Sequence, residues 1–153
     1  MICQFAAAGR AHAASREYPI DMPTVTLTLF PGDYAICRLA PDAPDPTWAH
    51  DSPVSVIART SDELSVLCSS ENVPAGTQCE AGWRLFKFQG PFAFTQTGIL
   101  AAVLNPLAEA RVGILAISTF DTDYVLVKET NLSKAQDALL AAGHVVLTAA
   151  API

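Results

Sequence analysis

The sequence predicts an α+β fold. Three observations carry this expectation. Short runs alternate apolar and polar residues with the period of a half-buried strand, beginning at Thr24–Leu29. Two segments of the second half place apolar residues at helical spacing. The order of the elements also recurs at one offset. A shift of 59 residues carries Thr60 onto Thr119, Asp62 onto Asp121, Val66-Leu67 onto Val125-Leu126 and Asn72 onto Asn131.

In the first half, Val25, Leu27 and Leu29 alternate with threonines, and Pro31-Gly32-Asp33 punctuates the run as a turn. Tyr34 to Leu39 resumes extended character. Pro41, Pro44 and Pro46 forbid a regular helix before about Thr47. Val54–Ala58 and Leu64–Cys68 read as a hairpin turning through Thr60–Glu63. The offset lays the Thr24 strand beneath the one at Trp83, and the first copy is degenerate. Prolines shorten its first helix, and its second shrinks to about Asn72–Gly76.

The second half opens with a strand at Trp83–Gln89, ended by Gly90-Pro91. A helix follows from about Gly98 to Arg111, with Ile99, Val103, Leu107 and Ala110 on one face and Thr97 as the expected N-cap. Pro106 must kink this helix or restart it. Ile114–Thr119 and Tyr124–Val127 pair across a turn. Asn131 caps a second helix whose stripe is Leu132, Ala135, Ala138, Leu139 and Ala142, with Gly143 at C′. Val145–Leu147 is the last strand. The order βαββαβ is that of a ferredoxin-like unit, a four-stranded antiparallel sheet with two helices on one face. Its other face needs cover, from a second such sheet in the chain or in a dimer.

The division that results is an N-terminal extension at 1–22, a degenerate first unit at 23–81 and a complete unit at 82–153. Gly9-Arg10 splits the apolar part of residues 1–22, which is the wrong order for a signal peptide. That stretch reads as a loosely ordered extension or as the product of too early a start codon.

The net charge is −6, with 9 Lys and Arg in 153 residues. Nucleic acid and anionic membranes call for a basic face, and no Lys/Arg cluster occurs. No apolar run approaches the roughly 18 residues of a spanning helix. The expected compartment is the cytoplasm. Cys3, Cys37, Cys68 and Cys79 have no C-x-x-C spacing. They fit small core residues in a reducing compartment; a disulfide or a reactive thiol is the alternative.

Catalytic candidates are thin. His12 lies in the extension, and His144 follows a helix C-terminus, where a dipole-compatible, partly exposed residue is expected. His50-Asp51 is a base beside an acid, but on a loop. No nucleophile elbow, P-loop or dinucleotide fingerprint occurs. Asp121, Asp123 and Glu129 lack the spacing of a calcium loop. No catalytic residue, metal site or cofactor is assigned.

The segment Ser118-Thr-Phe-Asp-Thr-Asp123 stands apart. Hydroxyls and carboxylates at strand ends can hold an ammonium or guanidinium group. Free N–H groups at the start of the Gly98 helix can take a carboxylate. Together they suit an α-amino acid. The same segment also reads as a solvated turn whose aspartates make local bonds.

Gly98-Ile-Leu-Ala-x-Val-Leu-x-Pro106-Leu-Ala and Ile117-Ser-Thr-Phe-Asp-Thr-Asp-Tyr-Val-Leu-Val127 resemble the ACT-domain family. Within it, the chain is most similar to small bacterial tandem-ACT proteins akin to the CASTOR arginine sensors. The resemblance spans roughly Thr24 to Leu147. It implies sheets that pair and an amino acid or similar effector at an ACT–ACT interface. It assigns ligand contacts to Thr119, Phe120 and Asp123, with backbone groups from Gly98 and Ile99 and with Ser118 beside them. Asp123 would take a cationic end and Phe120 pack on the stem. The arginine sensors have four modules, so a homodimer of this chain restores the number. The first copy has Ser61 where the second has Phe120, and Leu64 where it has Asp123, so it is not expected to form an equal site. The expected function is therefore a non-catalytic metabolite sensor. The alternatives are an adaptor that pairs with another protein, and an enzyme using His50-Asp51 or a cysteine.

Overall fold

A computed structural model describes residues 2–5 and 22–149. The elements in chain order are β1 (Ile2–Phe5), β2 (Thr26–Leu29), β3 (Tyr34–Leu39), β4 (Val56–Arg59), β5 (Leu64–Ser69), β6 (Cys79–Phe88), α1 (Ile99–Glu109), β7 (Ile114–Ser118), β8 (Asp123–Lys128), α2 (Leu132–Ala141) and β9 (Val145–Thr148). Single 3-10 turns cover Thr47–Ala49, Ser70–Asn72 and Glu129–Asn131. The second half thus has the βαββαβ order.

The nine strands form one sheet. β6 organises it. One edge of β6 pairs with β8 over Trp83–Lys87. Its other edge is shared: β3 takes Cys79–Trp83, and β2 takes Phe86–Phe88. β2 then pairs with β9 in parallel, Thr26 facing Val145. The expected four-stranded arrangement is therefore widened by one strand from the first half, inserted between β6 and β9. The pairing does not follow the division at 81/82. The reason lies in β2 itself, whose Leu27 and Leu29, with Val25 beside them, complete the apolar layer under the helices.

Alternation along each strand separates two cores. Facing the helices are Phe86, Phe88, Ile114, Ala116, Val125 and Val127, packed against Val103 and Leu107 of α1 and Ala135 and Leu139 of α2. Facing away are Trp83, Leu85, Leu115, Ile117 and Leu126, which meet Tyr34 and Leu67 of the first half. The cover expected for this second face therefore comes from within the chain. Beyond it lies a third core, in which Trp48 and Ala49 of a 3-10 turn close over Ala35, Cys37, Val66 and Cys68. The proline-rich loop and its 3-10 turn stand where the second half has α1.

The internal repeat is sharpest in the hairpins. The offset of 59 carries β5 onto β8 and the 3-10 turn Ser70–Asn72 onto Glu129–Asn131, end for end. Both hairpin turns close alike: Thr60 N donates to Glu63 O and Thr119 N to Thr122 O, each at 2.9 Å. The strand opposite differs from the expectation. Tyr34 faces Ser69 as Trp83 faces Lys128, so β3, not the Thr24 strand, is the counterpart of β6.

Further expectations change. Ile2–Phe5 of the extension is a strand, antiparallel to β7. The rest of that extension, His12 included, lies outside the described residues. The residue that caps α1 is Gly98, with φ 81°, rather than Thr97. Asn131 holds the cap position of α2, but its side chain makes no capping bond, because a 3-10 turn leads straight into the helix. Gly143 does take the left-handed C′ position, at φ 86°.

His144 is buried, not partly exposed. Its Nδ1 accepts from Val25 N at 3.1 Å, and its Nε2 lies 3.0 Å from the Ala102 carbonyl. With Nδ1 an acceptor, Nε2 carries the proton and donates to Ala102. That carbonyl needs a donor from outside the helix. Its helical partner would be the N–H of residue 106, which is proline. Pro106 therefore does not restart α1: the helix runs through to Glu109. Replacing His144 with Leu leaves two buried backbone groups unpaired, at a cost of about 1–3 kcal/mol each. At unchanged m-value, the urea midpoint of His144→Leu is expected to fall in proportion to a stability loss of about 2–6 kcal/mol in total. An unchanged midpoint would show that the pin is dispensable.

Candidate functional site

The loop after β6, the first turn of α1 and the β7–β8 turn meet at one end of the sheet. They enclose an open cavity of about 340 Å³. Gly98, Ile99, Ser118, Thr119, Phe120 and Asp123 all line it. The sequence also singled out Asp121 and Thr122 within the same segment, and both line the cavity too.

The turn is rigidly tied. Thr119 donates to the Thr122 carbonyl twice, from N at 2.9 Å and from Oγ1 at 2.8 Å. That leaves Phe120 and Asp121 at the tip. Thr122 is buried, and its Oγ1 donates to Phe88 O at 2.7 Å, fixing the turn to the end of β6. The loop is fixed to the turn in return, through Phe92 N donating to Asp121 O at 3.0 Å. Gly90 permits this approach: a Cβ there would stand 2.7 Å from the Asp121 carbonyl oxygen. Ser118 Oγ donates to the Asp123 carboxylate, which orients that carboxylate at the start of β8.

On the opposite wall stands the N-terminus of α1. Gly98 supplies a left-handed residue and no side-chain cap. The N–H groups of the first turn have no intrahelical acceptor, and Ile99, Leu100 and Ala101 border the cavity. The helix dipole adds partial positive charge there. Asp121 and Asp123 are the charged residues of the lining, which contains no Lys or Arg. At the mouth, Phe94 and Phe120 stand edge to face, with centroids 5.2 Å apart at 84°. Each is 79% exposed, so an apolar rim faces outward.

Phe94 and Gln96, which also line the cavity, and Gly90, which lets the loop approach the turn, were not legible in the sequence. The loop 90–98 has no periodicity, and its contacts with the turn are tertiary. A Gly beside Pro91 was the available signal, and it reads equally as a strand end.

The first half differs at the corresponding turn. Leu64, which stands where the second half has Asp123, is fully buried in the third core. A separate cavity of about 570 Å³ lies nearby, bordered by Arg38, Glu63, Glu80 and Trp83. Hydrogen bonds from Ser65 and Arg38 hold the Glu63 carboxyl below the usual carboxylate range. His50 and Asp51 follow the Thr47–Ala49 turn and are exposed. Neither side chain makes a hydrogen bond among the described residues. No group of three His, Cys, Asp or Glu able to hold a metal ion occurs among the described residues. No described helix is long and apolar enough to cross a membrane.

Residues 78–141 match the family model of the ACT domain. The chain belongs to the ACT-domain family. Residues 32–76 match a second model, described as an N-terminal domain. The fold is that of the crystal structure of protein Atu0741 from Agrobacterium tumefaciens, with 40% identity, a TM-score of 0.80, and 86% of this chain and 98% of that one covered. The regulatory subunit of aspartate kinase from Thermus thermophilus shares the fold at 10% identity and a TM-score of 0.53, over 72% of this chain and 93% of that one. A stretch of 58 residues, 37% of this chain, is 40% identical to a protein of Rattus norvegicus named cytosolic arginine sensor for mTORC1 subunit 1. That stretch is 18% of the relative's length, so the ACT chain matches under a fifth of the curated relative.

Gly90→Ala tests the tie between loop and turn. The added methyl must displace the Asp121 carbonyl, and overpacking of this kind costs about 1–3 kcal/mol. Lower stability with faster amide exchange at Phe92 and Thr119 is expected; unchanged exchange there would show that the two segments move independently.

Proposed function

We propose that this ACT protein is a non-catalytic sensor that binds an amino acid, or a related metabolite, in the cavity between α1 and the β7–β8 turn. The observation that carries the reading is the opposition of two walls. One offers unpaired N–H groups at a helix N-terminus. The other offers the Asp123 carboxylate, held by Ser118. An α-amino acid presents a carboxylate to the first and a cationic group to the second. Phe120 and Phe94 pack on the stem between them. A volume of about 340 Å³ suits a ligand of that size.

The rim of two exposed phenyl rings is the surface that a second copy would cover, and we propose a homodimer with the site at an ACT–ACT interface. The net charge of −6 argues against nucleic acid as a partner. The buried free thiols Cys37 and Cys68 suit a reducing, cytoplasmic setting.

The exposed Phe94, Phe120, Leu140, Val145 and Leu147 also support a second reading, an adaptor that docks another protein and binds no small ligand. A thermal-shift screen against the twenty amino acids and their biosynthetic relatives separates the two. At a ligand concentration of 100 times Kd, binding adds about 2.7 kcal/mol. For a domain of this size that raises Tm by roughly 5–10 °C. Asp123→Ala is expected to keep the circular dichroism of the native protein and to abolish the rise. A flat screen on folded, dimeric protein would sink the sensor reading and favour the adaptor.

A further inference from the structure

β6 begins inside the sheet of the first half, and its first residue is a cysteine. Cys79 lies directly opposite Cys37 of β3. One position further along, Arg38 N donates to Gln78 O at 2.9 Å, which makes 38 and 78 a hydrogen-bonded pair. Pair types alternate along an antiparallel ladder, so Cys37 and Cys79 form a non-hydrogen-bonded pair. Such pairs bring Cα atoms to about 4.5 Å and side chains closest together. That spacing lies within the window of roughly 4.4–6.8 Å that a disulfide can bridge. Residues opposed in this way point to the same face of the sheet.

The two thiols differ in access. Cys79 is exposed and Cys37 is buried. Burial pushes the Cys37 thiol up to about 12, with Cys68 and Cys79 adding to the effect. Cys37 therefore does not attack an outside reagent first. Cys68, the diagonal neighbour on β5, is also buried, and its thiol donates to the Ser69 carbonyl.

We propose that Cys79 and Cys37 form a reversible thiol-modification site whose substrate is a low-molecular-weight disulfide. The Cys79 thiolate attacks one sulfur of the small disulfide. That S–S bond breaks, one small thiolate leaves, and a mixed disulfide forms on Cys79. Cys37 loses its proton to solvent and attacks the Cys79 sulfur, expelling the second small thiol. Two protein thiols are oxidised, and one small disulfide is reduced to two thiols. The new bond joins β3 to β6 in the wall of the 570 Å³ cavity, which both cysteines border. It is readily reversed, because opposed Cβ atoms stand about 4.5–5.5 Å apart and a relaxed disulfide wants about 3.8 Å. Drawing the strands together stores strain, and strained disulfides are the reducible ones.

The test uses the full chain, reduced and then exposed to oxidised glutathione under native conditions. Intact mass and peptide mapping give the readout. The native chain is expected to lose two hydrogens, to yield a Cys37–Cys79 linked peptide, and to return to the dithiol with dithiothreitol. Cys37→Ser is expected to stop at a glutathionyl adduct on Cys79. Cys79→Ser, an exposed change that leaves folding intact, is expected to give neither adduct nor link. A lasting glutathionyl adduct on Cys79 of the native chain would overturn the proposal. So would a link from Cys79 to any other cysteine, or thiols that react only in urea. The native map and Cys79→Ser decide the matter even if Cys37→Ser does not fold.

Discussion

A proline in the middle of a helix leaves one carbonyl without a donor, and the fold of this ACT protein is arranged around supplying it. Pro106 has no N–H for Ala102, and His144 provides one from across the helix layer. The same ring accepts from Val25 at the entrance to β2. One buried imidazole thereby fixes three elements: α1, the α2–β9 connection and the strand from the first half. The placement of α1 sets the position of its N-terminus, and that N-terminus is one wall of the candidate site. The chemistry at Gly98–Ala101 thus depends on a residue that does not touch the cavity.

The second constraint is the sharing of β6. Its length lets it serve both halves of the sheet in succession, pairing first with β3 and then with β2 and β8. Each half lends a strand segment to the other. Hydrophobic burial follows from this exchange, since Leu27 and Leu29 sit beneath the helices of the second half while Trp83 and Leu85 sit beneath the strands of the first. Neither half has a complete apolar layer by itself.

What could be read in the sequence was what is encoded locally. α2 and the two hairpins announce themselves through periodicity and turn residues, and the offset of 59 aligns the second hairpin strands, β5 and β8, end for end. The six residues that the family resemblance names share one cavity. Three things were hidden. The start of β6 at Cys79–Ala81 is exposed and shows no alternation, so the strand seemed to begin at Trp83. The neighbours of β2 are fixed by pairing with a strand far along the chain, which no local pattern records. The burial of His144 follows from a vacancy in another helix, legible only once Pro106 and His144 are known to be adjacent. At the site, Phe94 and Gly90 belong to an aperiodic loop whose position is set by the turn it touches.

The insertion of β2 has a consequence for how the protein is made. Val25 leaves the ribosome 119 residues before His144, the residue that its backbone must meet. At about 5–20 residues per second, that interval is roughly 6–24 s. Throughout it, β2 has no β6 for much of the time and no β9 at all, so an apolar strand with an open edge waits in the nascent chain. Such edges recruit other chains. The threonines of β2, Thr26 and Thr28, alternate with its leucines and keep one face of the waiting strand polar. Productive synthesis of this chain therefore depends on protecting β2 until nearly the whole described fold has emerged.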